Sequence, residues 1–200
     1  EGLAALLRDL ANAAPVWTPT ATPATAADVQ MLCLQDVEPE PITWLWPGRI
    51  ATGKLTVVAG DPGLGKSLIT VDLAARVTTG TPWPDAPGTG RGEPGGVVML
   101  SAEDDAADTV RPRMDAAGGD PRRVFLLNAV AVEDRAGNRT ERMFDLAEDV
   151  FRLEAAIQQV PDCRVVIIDP ISAYLGNTDS HKNAEVRSLL APLAAMAGRH

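Results

Sequence analysis

Cysteine, histidine and long apolar runs are scarce in this chain, and each scarcity limits the kinds of site or the cellular location that the chain can have. The 200 residues include two cysteines, Cys33 and Cys163, which stand far apart and lack metal-ligand spacing. Isolated cysteines are typical of a reducing compartment, so a cytoplasmic location is predicted. The two histidines, His181 and His200, cannot form a metal site by themselves. No apolar run approaches the roughly 20 residues that span a bilayer, and no signal-peptide pattern is present, so no membrane association is expected.

Positive charge is also in short supply. Lysine and arginine total 18 against 27 acidic residues, which gives a formal net charge of -9 and a pI of about 4.7. This balance argues against binding nucleic acid through overall charge, because such binding depends on neutralising phosphates. A local basic loop could still bind nucleic acid, especially if several copies are arranged in a ring. The hydrophobic fraction of 46% is ordinary for a globular protein.

The composition divides the chain into two parts. Residues 3–14 have the pattern of a short amphipathic helix, and residues 15–27 are rich in proline, threonine and alanine. Such a segment is typical of a linker. We therefore predict an N-terminal helix and linker over residues 1–36 and a globular domain over residues 37–200.

Within the globular part, strand-like and helix-like patterns alternate. This alternation predicts an α/β fold with a mostly parallel sheet sandwiched by helices. Pro112 and Pro192 are expected to kink or split two of the helices. The predicted strands are Leu55–Ala59, Val97–Ser101, Val124–Leu127 and Arg164–Ile168, and the predicted helices are Ser67–Thr78, Ala106–Ala117, Leu146–Gln159 and Asn183–Ala197.

A glycine-rich loop follows the first predicted strand and precedes the first predicted helix. Its sequence, GDPGLGKS, fits G-x-x-x-x-G-K-[ST] without a mismatch. Glycines let backbone N–H groups turn inward onto phosphate oxygens, and the helix start adds unpaired amides and a positive dipole end. Lys66 would reach the β- and γ-phosphates, and the Ser67 hydroxyl would ligate Mg²⁺. The candidate nucleotide-binding residues are Gly60, Asp61, Pro62, Gly63, Leu64, Gly65, Lys66, Ser67 and Leu68.

Two later strands end in carboxylates that could complete a hydrolytic site. Arg164–Ile168 runs into Asp169, which has the form of a Walker B acid and predicts a Mg²⁺-site residue acting through a metal-bound water. Val97–Ser101 runs into three consecutive acids, and Glu103 is the candidate catalytic base because it lies nearest the strand end. Asp104 or Asp105 could instead serve as an N-cap of the next helix, and both roles can hold at once.

The order of these motifs resembles the RecA-like P-loop ATPases of the AAA family. Among them, the strand ending SAEDD makes the chain similar to plasmid RepA-type replicative DNA helicases, and the resemblance covers roughly residues 38–200. It implies ATP and Mg²⁺ as ligands, Lys66 and Glu103 as catalytic residues, and Ser67 and Asp169 as metal ligands. It also implies a homo-oligomeric ring such as a hexamer, and single-stranded DNA contact through the loop 175–183, with His181 and Lys182 as contacts.

The chain departs from this family's pattern at its C-terminal end. In RecA-like ATPases the next strand carries the γ-phosphate sensor and inserts between the P-loop strand and the Walker B strand. We expect this strand, and the arginine finger, to lie beyond His200, which leaves a gap in the sheet. Direct pairing of Leu55–Ala59 with Arg164–Ile168 would instead indicate the kinase and GTPase branch. Two main functions stay open, a DNA helicase motor and an ATP-binding regulatory or assembly switch, and a small-molecule kinase is a third alternative.

Overall fold

The computed structural model describes residues 31–86, 92–133, 137–176 and 183–200. The chain divides into two compact units, Glu1–Pro41 and Ile42–His200. In the first unit, the described part contains a 3-10 turn at Leu34–Asp36. The predicted helix at residues 3–14 and the linker at 15–27 lie outside the described residues. Within the described ranges, no helix combines the length and apolar character needed to cross a bilayer.

A parallel sheet forms the centre of the second unit. Its strands are β3 (Gly96–Ser101), β4 (Val124–Leu126) and β7 (Cys163–Asp169), in the spatial order β4-β3-β7. Long apolar stretches form β3 and β7, as expected for parallel strands that are covered on both faces. The register pairs Ser101 with Asp169, so the two strands end at the same level of the sheet. The α/β class predicted from the sequence is confirmed.

Among the described residues, four helices cover the two faces of this sheet: α1 (Lys66–Thr79), α2 (Arg111–Ala116), α3 (Val150–Gln159) and α4 (Asn183–Ala197). Side chains of α1 and α2 pack with Val97 and Met99 of β3 in one apolar cluster. Side chains of α3 and α4 pack with Val98 and Leu100 in another. Alternate residues of β3 therefore enter opposite halves of the core, and the strand is buried on both faces.

The helix boundaries follow the predictions with two differences. A π-helical turn, Ala106–Val110, runs directly into α2, and Pro112 lies in the first turn of α2, so the predicted helix changes its hydrogen-bonding pattern just before the proline without a break. Pro192 lies inside α4, which continues through it, so of the expected kink or split the split does not occur there. The predicted start of the third helix at Leu146 was wrong: α3 begins at Val150, because the chain before it forms a turn closed by Asp149 N–H donating to the Asp145 carbonyl.

Two antiparallel hairpins were not predicted. β1 (Trp44–Trp46) pairs with β2 (Ile50–Ala51), and β5 (Val130–Glu133) pairs with β6 (Arg139–Arg142). These strands have two to four residues. Such lengths are too short for a recognisable alternation of apolar and polar side chains.

The predicted strand Leu55–Ala59 is not a strand in the structure. This segment pairs with no strand among the described residues, and its side chains Leu55, Val57 and Val58 are 40%, 65% and 51% exposed. A strand requires a hydrogen-bonded neighbour, and local sequence does not provide one. The direct pairing with β7 that would indicate the kinase and GTPase branch is likewise not seen in the described part of the chain.

Candidate nucleotide-binding site

The glycine-rich loop turns the chain sharply into α1. Gly63 and Gly65 have φ angles of 80° and 82°, in the left-handed region that glycine adopts without steric cost. Gly65 is the residue before the helix, and its carbonyl accepts from the N–H groups of Leu68 (3.0 Å) and Ile69 (3.1 Å). The N–H groups of Lys66 and Ser67 donate no hydrogen bond within the described residues. They are thus available to an anion at the positive end of the helix dipole.

The Lys66 side chain folds back over this loop. Its Nζ atom donates to the carbonyl oxygens of Gly60 (2.8 Å) and Asp61 (2.9 Å). No carboxylate pairs with this ammonium group in the described part of the chain. The positive charge is therefore held against the loop by carbonyl groups alone, and it stays available for an anionic ligand.

Asp169, the last residue of β7, contacts the first turns of α1. Its Oδ2 atom lies 3.0 Å from Thr70 Oγ1. Thr70 follows Ser67 by three residues, and side chains at this spacing are neighbours on one face of a helix. The contact therefore brings the Asp169 carboxylate to the helix face that also carries the Ser67 hydroxyl.

The three consecutive acids after β3 have three different surroundings. Asp104 forms an ion pair with Arg113, with 2.6 Å between Oδ2 and Nη1. Asp105 accepts from the N–H groups of Ala107 (2.7 Å) and Asp108 (3.2 Å), so the expected N-cap is found at this residue. Glu103 is exposed and forms no hydrogen bond or ion pair within the described residues. It is the one of the three whose carboxylate has no structural partner there.

The Glu103 carboxylate lies at the same edge of the sheet as Asp169. Ala102, which precedes it, donates its N–H to the Asp169 carbonyl at 3.3 Å. A cleft at this edge includes Tyr174, which is 3% exposed and whose pKa is raised by burial and by the negative charge of Asp169. The cleft is lined by the residues 101–106 and by Leu126, Asn128, Met143 and Tyr174.

Lys66, Ser67, Asp169 and Glu103 thus occupy the loop, α1 and two adjoining strand ends. The sequence analysis missed Thr70, although its position one turn after Ser67 on a predicted helix was a usable signal. It also missed Arg113 and Tyr174, whose roles depend on tertiary contacts. His181 and Lys182, the predicted DNA contacts of the loop 175–183, lie outside the described residues.

The oxygen atoms of this site suit a small, hard cation. Ser67 offers a hydroxyl and Asp169 a carboxylate, and Mg²⁺ prefers oxygen ligands. No group of three or more His, Cys, Asp or Glu side chains that could hold a metal occurs in the described ranges. Mg²⁺ sites at nucleotides usually have one or two protein ligands, with phosphates and waters as the others, so these residues fit the ion.

Comparison with known proteins identifies the family of the chain. A family model described as an AAA domain matches residues 20–200. No curated protein matches the chain. The match spans nearly the whole sequence and includes every part of the parallel sheet, the glycine-rich loop and both carboxylates. The chain belongs to the AAA domain family of nucleotide-binding P-loop ATPases, with an α/β architecture consistent with the RecA-like fold.

Proposed function

We propose that this chain binds ATP with Mg²⁺ and hydrolyses it, as the motor domain of a replicative or mobile-element DNA helicase. The observation that carries the ATPase proposal is the Thr70–Asp169 contact at 3.0 Å. It brings the carboxylate at the end of β7 to the helix that begins in the glycine-rich loop. The proposed phosphate-binding groups and an acidic group from a distant part of the chain therefore meet at α1.

The roles we propose follow from the surroundings of each side chain. The loop from Gly60 to Leu68 would hold the phosphates with backbone N–H groups, and Lys66 would exchange its two carbonyl contacts for phosphate oxygens. Ser67 and Asp169 would hold Mg²⁺. When bound, this ion supplies positive charge that offsets the charge developing on the phosphate oxygens. Glu103, which has no partner of its own in the described residues, would accept a proton from the attacking water.

The helicase assignment and the ring depend on other observations than the ATPase assignment does. They are supported by the order of motifs, by the strand end SAEDD and by the tendency of AAA domains to oligomerise. The net charge of -9 favours a second candidate, an ATP-dependent regulatory or assembly switch, because it gives little electrostatic support to DNA binding. Turnover that single-stranded DNA stimulates would support the motor. Turnover indifferent to DNA, with a monomeric mass at micromolar concentration, would support the switch.

Two substitutions test the ATPase proposal, each with a matched control. Lys66→Ala should abolish ATP binding and lower turnover at least about 100-fold, because it removes the charge nearest the phosphates. Glu103→Gln should keep ATP binding and lower turnover about 10²- to 10⁴-fold, because it removes the base alone. Phosphate release and nucleotide titration measure the two effects separately.

The controls are Lys54→Ala and Glu93→Gln, which change exposed side chains of the same types outside the loop and the cleft. Both should behave as wild type. Wild-type turnover in Lys66→Ala would contradict the nucleotide site as a whole. Wild-type turnover in Glu103→Gln would contradict only the assignment of the base.

A further inference from the structure

The Thr70 hydroxyl meets two acceptors, although it carries a single proton. Its Oγ1 atom lies 2.9 Å from the Ser67 carbonyl oxygen and 3.0 Å from Asp169 Oδ2. A hydroxyl can donate to only one of them at a time. A carboxylate is a stronger acceptor than a neutral carbonyl, so the proton belongs to the bond with Asp169.

The contact with the Asp169 carboxylate distinguishes Thr70 from Thr79, another threonine of α1. The Thr79 hydroxyl lies 2.8 Å from the Ala75 carbonyl oxygen and 2.8 Å from the Thr81 hydroxyl. It reaches no carboxylate in the described part of the chain. Both hydroxyls lie near a carbonyl oxygen of their own helix, and of the two only the Thr70 hydroxyl also reaches a carboxylate of β7.

Thr70 is also the side chain that holds the Asp169 carboxylate in place. Among the described residues, no other hydrogen bond or ion pair reaches Asp169 Oδ1 or Oδ2. Both partners are half-buried, so water competes with the contact less than it would at the surface. Loss of the Thr70 hydroxyl would leave the carboxylate with no fixed orientation toward α1.

We propose that Thr70 is a positioning residue for the Mg²⁺ site: by donating to Oδ2, it fixes Asp169 against the face of α1 that carries Ser67, and leaves Oδ1 free. This inference rests on the proposed function, because it assigns Asp169 to the metal. Hydrogen-bond partners of metal-site residues typically contribute about 10- to 100-fold to metal affinity or activity. The structure therefore assigns to Thr70 an effect on Mg²⁺ dependence, with little effect on the contact between the loop and the phosphates.

The test compares Thr70→Val, Thr70→Ser and the control Thr79→Val in the full chain. A fluorescent ATP analogue is titrated in EDTA and again at increasing Mg²⁺ concentration. In EDTA all variants should bind the analogue as wild type does, because the glycine-rich loop is unchanged. Thr70→Val should need about tenfold more Mg²⁺ for half of its effect on binding. Thr70→Ser retains the donor and should restore the wild-type value, and Thr79→Val should match wild type throughout.

Each outcome decides one question. If wild type binds the analogue with Mg²⁺ dependence and Thr70→Val shows the same half-effect concentration, the role of Thr70 is overturned. If wild type itself binds no analogue, the proposed function fails first. Should Thr70→Val unfold, Thr70→Ala provides the same loss of donor with less crowding, and its Mg²⁺ titration decides. A shift in Thr70→Val that Thr70→Ser does not reverse would also overturn the proposal, because it would point to packing rather than to the hydrogen bond.

Discussion

Replacement of Asp149 by alanine should be among the most destabilising changes outside the nucleotide site. The side chain is fully buried, and it accepts from Arg142 Nη1 at 2.6 Å, from Arg142 Nη2 at 3.0 Å and from the Asp145 N–H at 2.8 Å. Arg152 Nη1 is a further donor to the same carboxylate. These bonds join β6 to the start of α3, so one carboxylate connects two elements.

The magnitude follows from what the substitution leaves behind. Removing one partner of a buried ion pair costs about 3 to 5 kcal/mol, because the other charge stays without compensation. The Arg142 and Arg152 side chains are each 33% exposed, so water can reach part of their charge. We therefore expect Asp149→Ala to lower the free energy of unfolding by about 3 kcal/mol. For a chain of this length, that corresponds to a Tm lower by roughly 6 to 12 °C.

Urea unfolding of the full chain, followed by circular dichroism, measures this loss. Asp149→Asn keeps the shape but offers Arg142 a neutral acceptor, so its loss should lie between wild type and Asp149→Ala. Asp115→Ala breaks an exposed ion pair with Arg111, and it should change stability by less than about 0.5 kcal/mol. A loss below about 1 kcal/mol for Asp149→Ala would refute the reasoning, since it would mean that both arginines find water or new partners without strain.

Two further predictions concern stability. Burial raises the pKa of Asp149, but hydrogen bonds from Arg142, the Asp145 N–H and Arg152 outweigh this effect and hold the pKa below the ordinary 3.8. The contribution of the ionised carboxylate to the free energy of unfolding is therefore present above that pH and is lost as the pH falls below it. The stability difference between wild type and Asp149→Asn should shrink from about pH 6 to about pH 3, and a constant difference would contradict the ionised state. Leu100→Ala changes a fully buried position of β3 and should lower the free energy of unfolding in urea by about 2 to 5 kcal/mol. Val58→Ala changes a 51% exposed position and should lower it by less than about 0.5 kcal/mol. Equal losses would contradict the placement of the core.

Local signals predicted the glycine-rich loop, α1, β3 and β7 well. A loop motif and a long apolar strand each consist of consecutive residues, so the sequence identifies them directly. The bounds of α1 differ from the prediction by one residue at each end. The segment Leu55–Ala59 shows the limit of this approach, because its apolar pattern is strand-like but pairing depends on residues far away in the chain. The late start of α3 has a similar cause: the residues before Val150 are held by Asp149 in a turn that no periodicity reveals.

The residues of the candidate site could be proposed from the sequence because each belongs to a local motif or follows an apolar strand. Lys66 and Ser67 belong to one motif, and Asp169 and Glu103 follow apolar strands. Of the different roles of the three acids after β3, the N-cap was predicted, but the ion pair of Asp104 with Arg113 was not, because it joins residues nine positions apart. Thr70 could have been placed on the face of Ser67 by helical spacing, but nothing in the sequence placed Asp169 beside it.

Because β3 is buried on both faces, the position of Glu103 at its end depends on the packing of the core. Val98 and Leu100 point to one half of the core and Val97 and Met99 to the other, so inserting or deleting one residue would reverse the facing of every side chain beyond that point in the strand. The same insertion would advance Glu103 relative to Asp169 by about 3.3 Å. A change in the length of β3 would therefore disrupt the packing of the core before it could alter the spacing of the two carboxylates.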